Sequence, residues 1–282
     1  METPGSGISF VYDNVAPTSY IVSPANETKM NSWTNVTGTA GDIDNTSSIV
    51  EVRISIKNTN DTLWWDGIGS WTSNEVFFGV SGTDNWNYDI PFSPVSGKTY
   101  LVRSKAKDSA GNWESAGAGN SFTFDNILPT SYITYPVNGD ILNSISAITG
   151  ESSDTYPGLV SNVQVRIQRV SDSRYFDGAG GWQTTEYWLD KSSATTSPWY
   201  RIFNAVVSGE TYLIRSRAID DAGNVQVADN TISFVYDDTA PVSSILHPTN
   251  QALISTLPVI SGNATDNKSG IDQVKISIFN IT

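Results

Sequence analysis

The chain has 282 residues, 38% of them hydrophobic and only 16% charged, with a net charge of −13 and no cysteine. That length holds two or three ordinary domains with real cores, and the missing thiol excludes disulfides, thiolate metal sites and cysteine nucleophiles. The acidic balance, without a basic cluster, argues against nucleic acid and anionic lipid as partners, and no run of about 20 apolar residues is present to cross a membrane.

In chain order the pattern is one of strands. Ile8–Tyr12 is a short apolar run that ends at Asp13. A first strand follows Pro17 over Ser19–Val22, and a second surrounds Gly38 over Val36–Thr39. Val50, Val52, Ile54 and Ile56 alternate with polar residues, which puts one face on a core and the other in water. The aromatic segment Leu63–Trp71 (LWWDGIGSW) reads as a hairpin, and another strand surrounds Trp86. Tyr100, Val102 and Ala106 share one face of the next strand, with Arg103, Lys105 and Lys107 on the other. Tyr100 follows Gly-x-Thr, the position at which a tyrosine hydroxyl ties back to nearby backbone. The turn Asp108-Ser-Ala-Gly-Asn112 and a closing strand over Ser121–Phe124 complete the series. No amphipathic helix is expected.

The series then repeats. Asp13, Asp125 and Asp237 are spaced 112 residues apart, as are Gly38, Gly150 and Gly262, and Asp42, Asp154 and Asp266. Val95–Asn112 is answered by Val207–Asn224, and Leu63–Trp71 by Arg174–Trp182. A unit of about 112 residues is the size of one sandwich domain and far longer than a solenoid repeat, so each should own a core. The predicted fold is all-β, with tandem antiparallel sandwiches of about seven strands each. The expected divisions are 1–13, a leader and closing strand of a preceding unit; 14–125 and 126–237, two full units; and 238–282, a truncated third. Val274, Ile276 and Ile278 are expected to form an alternating strand there.

The Asp-x-Ala-Gly-Asn block, the Asp-Asn-x-x-Pro junction and the Gly-x-x-x-Asp turn, in that recurring order, resemble the tandem immunoglobulin-like (Big-type or fibronectin III-like) repeats of large bacterial surface proteins and adhesins. The resemblance covers nearly the whole chain. It implies an immunoglobulin-like fold, an extracellular or cell-surface location in a bacterium or archaeon, and a stalk or adhesive array; it also implies calcium at junctions. The segment Trp65-Asp-Gly-x-Gly-x-Trp71 departs from that pattern.

Catalysis finds no support. The single histidine, His247, has Ser23 and Tyr135 at the equivalent repeat positions, so no shared role needs an imidazole, and the chain reads as no enzyme. Three acidic loops recur: Asp42, Asp44, Asp154 and Asp266 in one; Asp108, Asn112, Asp220, Asp221 and Asn224 in the next; and Asp125, Asn126, Asp237 and Asp238, with Asp13, at the junctions. Calcium takes six to eight oxygens of this kind. Plain turn chemistry, in which Asp and Asn cap their own backbone, explains the same residues. Both readings stand on the sequence. The aromatics likewise divide: Trp64, Trp71 and Trp182 either form an exposed platform for a glycan or a protein of a host or neighbouring cell, or extend the core. The expected role is a structural spacer, with glycan or protein binding, or service as an accessory module of a secreted enzyme, as alternatives. Head-to-tail self-association is a further expectation, since Ile8–Tyr12 is a closing strand without its unit and 238–282 a unit without its closing strand.

Overall fold

The computed structural model describes residues 5, 7–43, 47–227, 231–257 and 259–280, and among them every regular element is a strand. The first set comprises β1 (Thr18–Ser23), β2 (Thr28–Met30), β3 (Asn35–Gly41), β4 (Ile49–Asn58), β5 (Leu63–Trp65), β6 (Trp71–Thr72), β7 (Phe78–Gly79), β8 (Ser81–Gly82), β9 (Asn85–Asp89), β10 (Thr99–Asp108) and β11 (Asn120–Phe124). One sheet runs β1-β3-β9-β8. The other runs β2-β11-β10-β4-β5-β6, with β7 also on β4. The second set comprises β12 (Thr130–Tyr135), β13 (Asp140–Leu142), β14 (Ala147–Ser153), β15 (Val160–Arg169), β16 (Tyr175–Phe176), β17 (Trp182–Gln183), β18 (Leu189–Asp190), β19 (Trp199–Ile202), β20 (Glu210–Asp220) and β21 (Ile232–Tyr236). Its sheets run β12-β14-β19 and β13-β21-β20-β15-β16-β17, with β18 on β15. β22 (Val242–His247) and β23 (Ser261–Thr265) form a two-stranded sheet. This strand order is that of an immunoglobulin-like β-sandwich.

The pairing is antiparallel with one repeated exception. β2 runs parallel to β11, and β13 parallel to β21. The expected first strands, Ser19–Val22 and Ser131–Thr134, lie within β1 and β12, and each is followed by a further short strand, β2 or β13, that was not expected. Pro24 and Pro136 lack the N–H that would continue the ladder on β3 and β14, so the chain leaves that sheet and pairs with the other.

The two compact units are residues 1–128 with 154–159 and 220–224, and residues 129–153, 160–219 and 225–282. The first core gathers Trp33, Val36, Val52, Ile54, Ile56, Trp65, Trp86, Tyr100, Val102 and Phe122. The second gathers Ile148, Val163, Val165, Ile167, Phe176, Trp199, Phe203, Tyr212, Ile214 and Phe234. Gly38 and Gly150 lie beneath the Trp86 and Trp199 rings, where a Cβ would collide with the ring and with the Tyr20 or Tyr132 carbonyl. The tyrosine hydroxyls act as expected: Val95 N–H donates to Tyr100 Oη at 3.0 Å, and Val207 N–H to Tyr212 Oη at 2.8 Å.

Val274, Ile276 and Ile278 are exposed and form no strand, which corrects the expectation for this segment. The corresponding strands β4 and β15 owe their order to long neighbours such as β10 and β20. Among described residues 238–280 no strand pairs with 274–278.

Candidate functional site

Asp125 follows β11 directly and is fully buried. Its Oδ1 accepts from Ser96 Oγ at 3.1 Å and from Ile127 N–H at 3.1 Å, an ordinary turn-closing pattern. Its Oδ2 is buried with no hydrogen-bond partner. Asp154 uses Oδ1 to accept from Thr155 N–H at 2.8 Å, and its Oδ2 is likewise buried and unpartnered. Asp220, at the end of β20, is also buried. Its Oδ1 accepts from Ala222 N–H at 2.9 Å and Asn224 N–H at 2.7 Å, and its Oδ2 from Asn224 Nδ2 at 2.7 Å. Asn224 Nδ2 also donates to the Asp125 carbonyl at 2.9 Å.

Oxygens of Asp125, Asp154 and Asp220 all lie within 4.8 Å of one another, and all three residues belong to the first compact unit. Gly158 borders the space they enclose. A Cβ there would stand 2.7 Å from Asp125 Oδ2 and would collide with Asp154 Oδ2, so both unpartnered oxygens face the glycine. Asp221 sits apart from this arrangement. Its Oδ2 pairs with Lys29 at 2.7 Å and its Oδ1 accepts from Leu159 N–H at 3.0 Å.

The electrostatics follow from the geometry. Burial, reinforced by the charges of Asp220, Asp125 and Asp221, raises the Asp154 carboxyl above its ordinary value of 3.8. Burial works against Asp221 too, but Lys29 and the Leu159 N–H outweigh it and bring that carboxyl below the usual range. The donor set is oxygen alone, which suits a hard cation and not zinc or copper. Calcium and magnesium are both hard cations of this kind.

The other acidic residues divide. Asp13 and Asp42 each keep one buried, unpartnered oxygen, and Asn112 Nδ2 donates to the Asp13 carbonyl at 3.3 Å. Asp42 Oδ2 accepts from Ser47 N–H at 2.9 Å. Asp108 accepts from Gly111 N–H at 2.7 Å, Asn112 N–H at 2.8 Å and Asn112 Nδ2 at 2.9 Å. Asp44 lies outside the described residues. Asn126 and Asp238 are exposed and turn to other partners: Asn126 N–H donates to Ser96 Oγ at 3.4 Å, and Tyr236 Oη donates to Asp238 at 3.1 Å. Asp237 is buried and accepts from Ser208 Oγ at 3.1 Å and Ser269 N–H at 2.9 Å.

Among the aromatics, Trp65 is buried and its Nε1 donates to Tyr88 Oη at 3.0 Å. Trp64, on the other face, is half-buried beneath Lys57, whose Nζ is 5.1 Å from the ring centroid. Trp71 packs edge-on against Trp65 at 5.6 Å and Phe92 at 5.0 Å. Trp182 packs against Phe176 at 5.6 Å and Tyr212 at 5.8 Å, with Arg169 over its ring at 4.6 Å. The Asp of each hairpin closes the turn: Asp66 Oδ1 accepts from the N–H groups of Ile68, Gly69 and Ser70, and Asp177 Oδ1 from those of Ala179 and Gly181. Gly67 and Gly178 supply the left-handed backbone, each at φ 85°.

Sequence reasoning missed Gly158, which borders the space beside Asp125 and Asp154. Its signal was the loop Asp154-Thr-Tyr-Pro-Gly158, which differs from Asp266-Asn-Lys-Ser-Gly270 only between its ends. It also missed Glu114, whose carboxylate accepts from Ser19 N–H at 3.0 Å, Ser19 Oγ at 2.6 Å and Ala106 N–H at 3.0 Å.

No protein-family model matches the chain, and no curated protein matches it. Among solved structures, the fibronectin(III)-like modules of Clostridium thermocellum CbhA match with 16% identity over 78% of this chain and 94% of that one, at a TM-score of 0.45. The FN1–FN3 domains of chicken CNTN1 match with 16% identity over 79% and 65% of the two chains, at 0.41. A complex of Dpr11 IG1 with DIP-gamma IG+IG2 matches with 11% identity over 78% and 99%, at 0.27. The fold assignment rests on the strand order itself and not on these likenesses.

Proposed function

We propose that this chain is a structural segment of an extracellular or cell-surface array, a spacer built of sandwiches, and that its first compact unit is braced by calcium at Asp125, Asp154 and Asp220. The observation that carries the cation is the pair of buried, unpartnered oxygens, Asp125 Oδ2 and Asp154 Oδ2, on two residues that group with Asp220, one carboxylate oxygen of each lying within 4.8 Å of the others. Leaving such oxygens buried costs roughly 1–3 kcal/mol each, more when they are charged. A divalent cation removes that cost and the mutual repulsion together. Turn formation alone explains only the oxygens that already accept hydrogen bonds.

A spacer needs stable sandwiches and no catalytic constellation. The packing of Trp71 and Trp182 against core aromatics favours this role over an aromatic sugar- or protein-binding platform. Calorimetric titration of the chain with calcium tests the site. Wild type should release or absorb heat at a site that Asp125→Asn and Asp154→Asn each remove. Identical titrations for wild type and both variants would refute the assignment.

A further inference from the structure

The sequence holds no basic run, yet the first sandwich assembles a basic face from alternate residues of two strands. Arg53 and Lys57 of β4 and Arg103, Lys105 and Lys107 of β10 point away from the core, because Val52, Ile54, Ile56, Val102 and Ala106 between them face it. Of the Lys and Arg within residues 1–128, only Lys29 and Lys98 lie outside these two strands. The face opposes the chain's net charge of −13. It also strains the sheet's pairing: Lys105 stands directly opposite Arg53 in the β4–β10 ladder, and like charges so placed are destabilising. Two carboxylates reach the face. Glu51 pairs with Arg53 at 2.5 Å, and Glu75 with Arg103 at 2.8 Å. Among the described residues, Lys57, Lys105 and Lys107 pair with no carboxylate. Aromatic rings hold the cations instead. The Asp108–Asn112 turn brings Trp113 back opposite Lys107 in an antiparallel bridge. Its ring centroid lies 5.1 Å from Arg53 Cζ, 5.0 Å from Lys105 Nζ and 5.6 Å from Lys107 Nζ. Lys105 Nζ is also 4.3 Å from the Phe77 centroid. In the second sandwich, Ile219 and Val225 stand where Lys107 and Trp113 stand in the first, so this gathering is not repeated there.

We propose that this face of the first sandwich binds an acidic polysaccharide, a chain of uronic-acid sugars, laid along β10. Successive outward residues of a strand are about 6.8 Å apart. Arg103, Lys105 and Lys107 therefore form a row of cations that meets a polymer with one carboxylate on each sugar ring. The rings of Trp113 and Phe77 leave the lysines fully charged but restrict their motion, so less freedom is lost on binding than from lysines loose in water. Both rings are half-buried, and their open parts offer apolar contact to sugar C–H groups, which an acidic peptide has no use for. Duplex DNA, with one charge per about 1.7 Å of axis, is repelled more strongly by the acidic remainder of the chain. The proposal is independent of the calcium reading, since it uses none of Asp125, Asp154 and Asp220.

The test is calorimetric titration of the full chain with polygalacturonate, in calcium-free buffer of low ionic strength. Wild type should bind, and binding should weaken as salt is added, because the contacts are charge pairs at a surface. Lys105→Gln combined with Lys107→Gln should lower affinity about tenfold or more. Lys98→Gln removes the same charge away from the face, where Lys98 pairs with Asp61 at 2.7 Å, and should bind nearly as wild type does. Lys107→Gln alone serves if the double variant fails to fold, with a loss of about threefold. Poly-L-glutamate and duplex DNA should each bind more weakly than polygalacturonate. No binding by wild type, wild-type affinity in a folded double variant, or an equal loss in Lys98→Gln overturns the proposal. Tighter binding of either other polyanion overturns it too and gives the face to a partner of that class.

Discussion

Gly38 and Gly150 show how a single atom position sets the core. The Trp86 and Trp199 rings rest on their Cα atoms, and any Cβ would meet both ring and backbone. Gly38→Ala should therefore destabilise the first sandwich by about 1–3 kcal/mol, the usual cost of overpacking a tight core. Denaturant unfolding checks it, and a neutral result would show that the ring can slide. Tyr100→Phe should cost about 1–3 kcal/mol in the same experiment, because it strands the Val95 N–H. The tyrosines and glycines could be read from the sequence because each recurs at a fixed place in a known design. The open oxygens could not. Asp125 and Asp108 look alike as letters, yet Asp108 spends its carboxylate on Gly111 and Asn112 while Asp125 keeps one oxygen free.

Asp154 gives a pH signature. Its folded pKa is raised, so the proton it retains stabilises the folded chain, fully so below the ordinary value of 3.8. That contribution is lost as pH rises through the folded pKa. In chelator at pH 7, Asp154→Asn should therefore melt at or above the wild-type midpoint, since it removes a crowded charge and can still accept from Thr155 N–H. A clear fall in midpoint would contradict the assigned repulsion. With calcium present the order should reverse, because only wild type gains from the ion.

At the scale of elements, the hairpins β5–β6 and β16–β17 close the end of each core. Their Asp-Gly-x-Gly turns fold by carboxylate-to-backbone bonds, and their tryptophans lie on Phe92 or on Phe203 and Tyr212. Trp71→Ala and Trp182→Ala should each cost about 2–4 kcal/mol, below full aromatic deletion because the rings are half-buried. A surface platform would lose little stability on the same change, so chemical denaturation separates the two roles. The period-2 alternation in β4, β10, β15 and β20 made these long strands plain in the sequence. The short strands β2 and β13 were less plain, because they depend on where a missing proline N–H forces a change of sheet. The segment 274–278 carries the same alternation as β4 but forms no strand, since pattern supplies a face and only a neighbour supplies the ladder.

For the molecule as a whole, the excess of acidic residues is the feature to account for. With 29 carboxylates against 16 Lys and Arg, internal repulsion is a standing cost. Much of it is met locally, by turns that wrap N–H groups around Asp66, Asp108, Asp177 and Asp266. Asp125 and Asp154 each keep one buried oxygen that no donor reaches, as Asp13, Asp42 and Asp266 do. On the proposed reading, calcium is the counter-charge that the oxygens of Asp125 and Asp154 take. Sandwich architecture was legible from periodicity and repetition. Which carboxylate oxygens stay without a donor was not, because that depends on which backbone N–H groups the folded turns bring within reach.

Thermal unfolding of the chain in excess calcium and then in chelator tests the central claim most directly. A ligand that binds only the folded form at about 100 times its Kd adds about 2.7 kcal/mol. The account therefore predicts a rise in the first unit's midpoint of about 10 °C, abolished by Asp125→Asn. The same midpoint with and without calcium would contradict it and leave the buried aspartates as turn formers alone.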